Sequence, residues 1–148
     1  MAKIHILVGS VTGKALSAAE AIHEVFSGNQ HESFVHLSPS IDQILDASAD
    51  VFVVVTSTCG QGELPASISS LYQDLKDKQP LISHQSFAIV ALGDSSYGTF
   101  CQGGAIMEEQ MRRLQGQALC ERFNIDAYEH FIPVDEARQW ALNCLELL

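Results

Sequence analysis

Val51-Phe52-Val53-Val54-Val55-Thr56-Ser57-Thr58-Cys59-Gly60-Gln61-Gly62-Glu63-Leu64-Pro65 is the stretch around which the chain is arranged. Its first five residues are apolar and mostly β-branched, with no polar alternation. Such a run is expected of a strand buried on both faces, as in a parallel sheet covered by helices. The run ends in three consecutive hydroxyl residues and two glycines, a polar loop beginning where the strand stops. Pro65 suits the first turn of a helix, and Ile68, Leu71, Tyr72 and Leu75 follow at helical spacing. In open α/β sheets, ligands sit outside the carboxyl ends of the strands, so residues 56–64 are a candidate site.

Outward from this stretch, the same alternation recurs. A short apolar strand over residues 3–8 leads into a polar loop. Leu16, Ala19, Ile22 and Phe26 then mark a helix ending near Gly28. Residues 32–37 read as a second strand, alternating around Phe34, Val35 and Leu37, and Ser38-Pro39-Ser40 starts a short helix over Ile41, Ile44 and Leu45. The helix after Pro65 is expected to reach Lys78, where Gln79-Pro80 breaks it. Residues 87–92 form a fourth apolar run, followed by a helix through Ile106, Met107, Met111 and Leu114. Residues 117–125 read as a less apolar fifth strand, nearer an edge. Asp135 is expected at the N-cap or first turn of a last helix, with a buried stripe of Ala137, Ala141, Cys144, Leu145 and Leu148. Five strands alternating with helices predict a doubly wound parallel α/β sheet in a single domain over 1–148.

With 148 residues, 47% of them hydrophobic and 18% charged, the chain can bury a full core and is not disordered. Its apolar runs are too short to span a bilayer, and Met1-Ala2-Lys3 leads directly into a strand, so neither a membrane span nor a secretory signal is expected. The four cysteines form no C-x-x-C pair and read as free thiols of a cytoplasmic protein. A net charge of −10 argues against nucleic acid as a partner. It either favours a basic partner reached by electrostatic steering or serves solubility alone.

The loops after the first, third and fourth strands are rich in Gly, Ser, Thr and Asp. In a sheet of order 2-1-3-4-5 they would converge on one edge, with the switch point between the first and third strands. The first, Ser10-Val11-Thr12-Gly13-Lys14-Ala15, opens a helix, whose unpaired N–H groups suit a phosphate monoester. It has neither Walker A nor G-x-G-x-x-G spacing, and a plain cap by Ser10 or Thr12 is the alternative. The second carries Gly60 and Gly62, which would let a peptide flip toward a ligand or simply make a turn. In the third, Tyr97 would stack on a flat ring or pack back on the domain, and Asp94 would receive ligand N–H groups or cap the turn.

Together the loops resemble those of the flavodoxin family, including the FMN domains of diflavin reductases. The first is similar to the family pattern Ser/Thr-x-Thr-Gly-x-Thr/Ala. The second matches Thr-Ser-Thr-x-Gly-x-Gly-Asp/Glu-x-Pro, and Ala91-Leu92-Gly93-Asp94-Ser95-Ser96-Tyr97 matches Gly-Leu-Gly-Asp-Ser-Ser-Tyr. Order and spacing agree along essentially the whole chain, and the fifth strand has no room for the long insertion, so the resemblance is to the short-chain class. It implies a flavodoxin-like three-layer sandwich with a five-stranded parallel sheet of order 2-1-3-4-5, and it implies FMN.

By the same resemblance, Ser10, Val11, Thr12, Gly13, Lys14 and Ala15 would cradle the phosphate. Ser57, Thr58, Cys59 and Gly60 would line the ring, with the Gly60 carbonyl accepting from the flavin N5–H. Leu92, Gly93, Asp94, Ser95, Ser96, Tyr97, Gly98, Thr99, Phe100 and Cys101 would wrap the other side, and Asp126 would lie near the flavin. Cys59 stands where reductase domains often have Tyr, so Cys59 or Leu64 is expected to cover the inner ring face. Ala15 removes one hydroxyl from the phosphate loop. The implied role is a monomeric, low-potential one-electron carrier between a basic flavodoxin/ferredoxin-NADP reductase and acceptor enzymes. The alternative is an NAD(P)H-dependent quinone or azo reductase on the same fold, although no extra loop is present to build a substrate cavity. A receiver domain lacks its acidic residues here, and a low-molecular-weight phosphatase lacks its Cys-x5-Arg. The six histidines show no ligand spacing, and no metal site is expected.

Overall fold

The computed structural model describes residues 1–59, 62–93, 101–126 and 133–148. Val51–Thr56 (β3) is buried along its whole length and pairs in parallel with Lys3–Gly9 (β1) on one side and Ser86–Gly93 (β4) on the other. That double pairing is why the run shows no polar alternation. Both faces of the strand meet helices.

The alternation of side chains along β3 divides the core in two. Val51, Val53 and Val55 join a cluster with Ile4, Ile6 and Val8, covered by Lys14–Gly28 (α1) and Pro133–Cys144 (α5). Phe52 and Val54 point the other way, into a cluster with Ile68, Leu71 and Leu75 of Ala66–Lys78 (α3) and Met107 and Met111 of Gln102–Arg113 (α4). Ile41–Ile44 (α2) seals the rim of that second layer through Ile41 and Ile44. The Ser40 N–H donates to Gln43 Oε1 at 2.7 Å, and Asp42 N–H donates to Ser40 Oγ at 3.3 Å, which closes the start of this one-turn helix.

The sheet runs β2-β1-β3-β4-β5, with Glu32–His36 as β2 and Gln117–Ala118 as β5, and Phe123–Asp126 (β6) also pairs in parallel with β4. This is the expected order, with two corrections. The predicted continuous fifth strand over 117–125 is two pieces. Four residues, 119–122, lie opposite only two, 88–89, so the ladder cannot continue. Leu119 and Cys120 instead pack on the α1/α5 core, and Arg122 Nη1 reaches Glu108 Oε1 at 2.9 Å. Second, β2 ends at His36. Ser33 is its buried residue, whereas Phe34 and Leu37 are exposed, because an edge strand without a covering helix on that side buries little.

The helix ends follow the sequence closely. Pro65 is the N-cap of α3, and Gln79 stops it in the left-handed region at φ 45°. Asp135 lies in the first turn of α5, one of two acidic residues at its positive end. Ala137, Ala141 and Cys144 are buried as the stripe predicts, and Trp140 is buried with them. Leu145 and Leu148 pack half-buried beyond α5. Among the described residues no helix is long and apolar enough to cross a membrane.

Candidate functional site

The strand ends line up. Gly9 is in register with Thr56, Thr56 with Ala91, and Gly93 with Asp126. The loops after β1, β3 and β4 therefore leave the sheet side by side at its carboxyl edge, next to the switch point between β1 and β3. Gly9 is the tightest point. A Cβ there would come within 2.6 Å of Thr56 Oγ1 and 2.7 Å of Ile68 Cγ2, so only glycine lets β1 pass between β3 and α3.

In the first loop, the Ser10 hydroxyl accepts from Gly13 N–H at 2.9 Å, while Ser10 N–H donates to Ser67 Oγ of α3 at 3.2 Å. The loop is thereby folded on itself and pinned to α3. Gly13 is the N-cap of α1 at φ 87°, a left-handed conformation that disfavours other residues, and the space beside its Cα is open. No side chain caps α1, whose first turn closes with Ser17 N–H donating to Gly13 O at 3.0 Å. The N–H groups of Lys14, Ala15 and Leu16 precede that bond, at the positive end of the helix. Val11, Thr12 and Lys14 are exposed. Ala15 is fully buried in the α1 core, so its contribution to the loop is its backbone and not its methyl.

The second loop is anchored at both ends. Ser57 N–H donates to Gly9 O at 2.9 Å, and the buried Thr56 hydroxyl donates to Ser57 O at 2.9 Å. Thr58 Oγ1 accepts from Gly103 N–H at 2.9 Å and so caps α4 from a different element. Cys59 and Glu63 exchange N–H···O bonds of 2.7 and 2.8 Å, which closes the base of the loop. Ser57, Thr58 and Cys59 are half-buried, and Glu63 is exposed. Leu64 leans on the α3/α4 core. Gly60 lies outside the described residues.

In the third loop, Leu92 is buried and Gly93 half-buried at the end of β4. Asp94, Ser95, Ser96, Tyr97, Gly98, Thr99 and Phe100 lie outside the described residues. Cys101 is buried at φ 53°, and its thiol donates to Ala91 O at 3.4 Å, back toward β4. Burial pushes that thiol up to about 11, with Asp126 adding to the rise and Arg122 opposing it. Asp126 is itself buried, at the end of β6 opposite Gly93.

The structure thus brings the described members of all three loops to one edge. Sequence reading passed over Ser67 and Gly103, which hold the first and second loops. The Gly103-Gly104 doublet was the available signal for a close approach. A Cβ on Gly103 would lie 2.7 Å from Ser57 O. Sequence reading also passed over two side-chain clusters away from this edge. One is the pair Cys120 and Cys144. The other links His36 Nε2 to His5 Nδ1 and His5 Nε2 to Asp46 Oδ2, both at 2.8 Å.

Fold and edge define a doubly wound α/β protein whose ligand-binding loops meet at the switch point. The chain belongs to the flavodoxin family, whose family model, described as Flavodoxin, matches residues 6–140. It is 36% identical over 140 residues to Flavodoxin YqcA of Escherichia coli (strain K12), covering 95% of this chain and 94% of that protein. It is 32% identical over 138 residues to the Protein MioC homolog of Pasteurella multocida (strain Pm70), covering 93% and 92%. The solved structure of a C101A mutant of flavodoxin from Pseudomonas aeruginosa superposes with a TM-score of 0.92 at 33% identity, over 99% of this chain and 98% of that one. FMN is the family's cofactor. The residues present fit its phosphate, because the open corner at Gly13 faces a helix start that no side chain caps.

Proposed function

We propose that this protein is a one-electron carrier of low potential, a single FMN-binding domain over 1–148 that shuttles between a reductase and acceptor proteins. The observation that carries this reading is the convergence of three anchored loops on one sheet edge, with a phosphate-sized corner at the uncapped start of α1. FMN, when bound, supplies electron transfer in single steps. The protein binds it and tunes it.

Gly13, Lys14 and Ala15 offer backbone N–H groups to the phosphate, with the hydroxyl of Thr12 beside them and Ser10 holding the loop in shape. The exposed Val11 flanks the loop, and the exposed Lys14 adds a positive charge beside it. Ser57, Thr58, Cys59 and Gly60 line one side of the ring. Leu92, Gly93 and the loop from Asp94 to Cys101 line the other, with Tyr97 stacked on it. Asp126 and the overall charge of −10 place a negative field around the ring. That field raises the energy of any added negative charge there, which lowers the reduction potential. The Gly60 carbonyl, turned toward N5, favours the state that carries a proton at that atom. The same acidity steers a basic reductase and basic acceptors onto the monomer, in the cytoplasm.

The test is a visible absorption spectrum of the purified protein, as isolated and after adding FMN, followed by stepwise anaerobic reduction. Flavin bands, with a long-wavelength band that rises and then falls, are the expected outcome. Reduction in one two-electron step, or steady NAD(P)H oxidation by the pure protein without a reductase, would overturn it in favour of a quinone or azo reductase.

A further inference from the structure

Cys120 stands between β5 and β6, in the four-residue segment that leaves the ladder, and Cys144 is the last residue of α5. The fold brings them together although nothing in their spacing announces a pair. Cys120 packs half-buried on the cluster that contains Cys144 and Trp140, and Cys144 is 3% exposed. The two thiols are within hydrogen-bonding reach of each other, and the Trp140 indole N–H also reaches the Cys120 sulfur. Trp140 is itself held by stacking on Phe123, with ring centroids 6.4 Å apart. Because 119–122 makes no regular ladder, its backbone can adjust without breaking strand pairing.

We propose that Cys120 and Cys144 form a redox-active dithiol that closes to an intramolecular disulfide by exchange with small-molecule disulfides. The site is separate from the sheet edge assigned to the flavin and does not depend on that assignment. Cys120 is the attacking sulfur, being the more accessible of the two. Its thiol is held below the ordinary value first by the hydrogen bond from Cys144 and further by Trp140, against the opposing effects of burial and of Glu121. Cys144 is held above the ordinary value by the same bond and by burial, so it keeps the shared proton.

The exchange balances in two steps. The Cys120 thiolate attacks one sulfur of the small disulfide, forms a mixed disulfide and expels one thiolate. That thiolate takes the Cys144 proton. Cys144 then attacks the Cys120 sulfur, closes the protein disulfide and releases the second small thiolate, which is protonated by solvent. One small disulfide is reduced to two thiols, and the protein dithiol is oxidised by two electrons. The bond ties the fifth strand to α5 across the segment that carries Asp126.

The test uses the full chain as purified, reduced and desalted, with glutathione disulfide as the probe. Alkylation and intact mass follow. The expected result is loss of two of the four free thiols. No glutathione should be retained, and peptide mapping should recover a Cys120–Cys144 link. The oxidised protein should unfold at a higher temperature, and dithiothreitol should reverse the shift. Both Cys144→Ser and Cys144→Ala should stop at a stable glutathione adduct on Cys120, without the thermal shift, and Cys120→Ser should form neither product. Four alkylatable thiols after exposure, a lasting adduct on Cys120 in the unsubstituted protein, or a disulfide between other cysteines would overturn the proposal.

Discussion

Cys101 and Gly103 show how two neighbouring residues at one helix start do different work. The Cys101 thiol is buried, bonded to Ala91 O and raised from 9.0 to about 11. Alkylation proceeds through the thiolate, so at pH 8 Cys101 should react with iodoacetamide about two orders of magnitude more slowly than a model thiol. Timed labelling with mass mapping measures this, and rapid labelling of Cys101 would contradict its burial. Gly103 lies against the Ser57 carbonyl while giving its N–H to Thr58. Replacing it with Ala puts a methyl 2.7 Å from that oxygen, and crowding of this kind costs about 1–3 kcal/mol. Gly103→Ala should lower the unfolding midpoint and, because Ser57 and Thr58 must move, weaken FMN binding by roughly tenfold, a change of about 1.4 kcal/mol. Fluorescence titration with FMN reads the second effect. Unchanged affinity would place Ser57 and Thr58 away from the ring.

The histidine cluster joins three elements, with His5 on β1, His36 ending β2 and Asp46 following α2. Hydrogen bonds first from Lys3, then from Ser48 and His5, hold the Asp46 carboxyl well below its ordinary value of 3.8. A depressed carboxylate adds stability above the unfolded value, and that stability is lost as pH falls toward the folded one. His36 is lowered from 6.5, first by burial and then by the charge of His5. Below about 6.5 the unfolded chain therefore binds more protons at this position than the folded chain does, so stability falls with pH through that window. His36→Gln should flatten the pH dependence of the urea midpoint just below 6.5. Asp46→Asn should be destabilised at neutral pH and should converge with the unsubstituted protein near pH 3. An unaltered pH profile in either variant would remove the cluster from the account of stability.

At the scale of the molecule, eighteen acidic residues against eight basic ones set the field that a partner meets. Neutralising Glu63 and Asp94 to the amides should slow association with a basic reductase and reduce the dependence of the rate on salt. Stopped-flow rates across an ionic-strength series decide this, and unchanged rates and slopes would confine the acidity to solubility.

The sequence by itself determined the doubly wound sheet, its strand order and the three loops at its edge. Those signals are local. A strand buried on both faces shows as an uninterrupted run at Val51 to Val55, and a helix shows its own period, as Ile68, Leu71 and Leu75 do. Other features exist only once distant segments meet, and the tertiary structure decided them. The fifth strand breaks because 119–122 has twice the residues of the segment it faces, a mismatch visible only against β4. Thr58 caps α4 from another loop, Ser10 leans on Ser67, and His5 joins His36 to Asp46. Cys120 and Cys144 become neighbours because α5 returns across the face of the sheet that the fifth strand leaves open. Each of these depends on packing between elements, to which the pattern along the chain carries no period and no spacing.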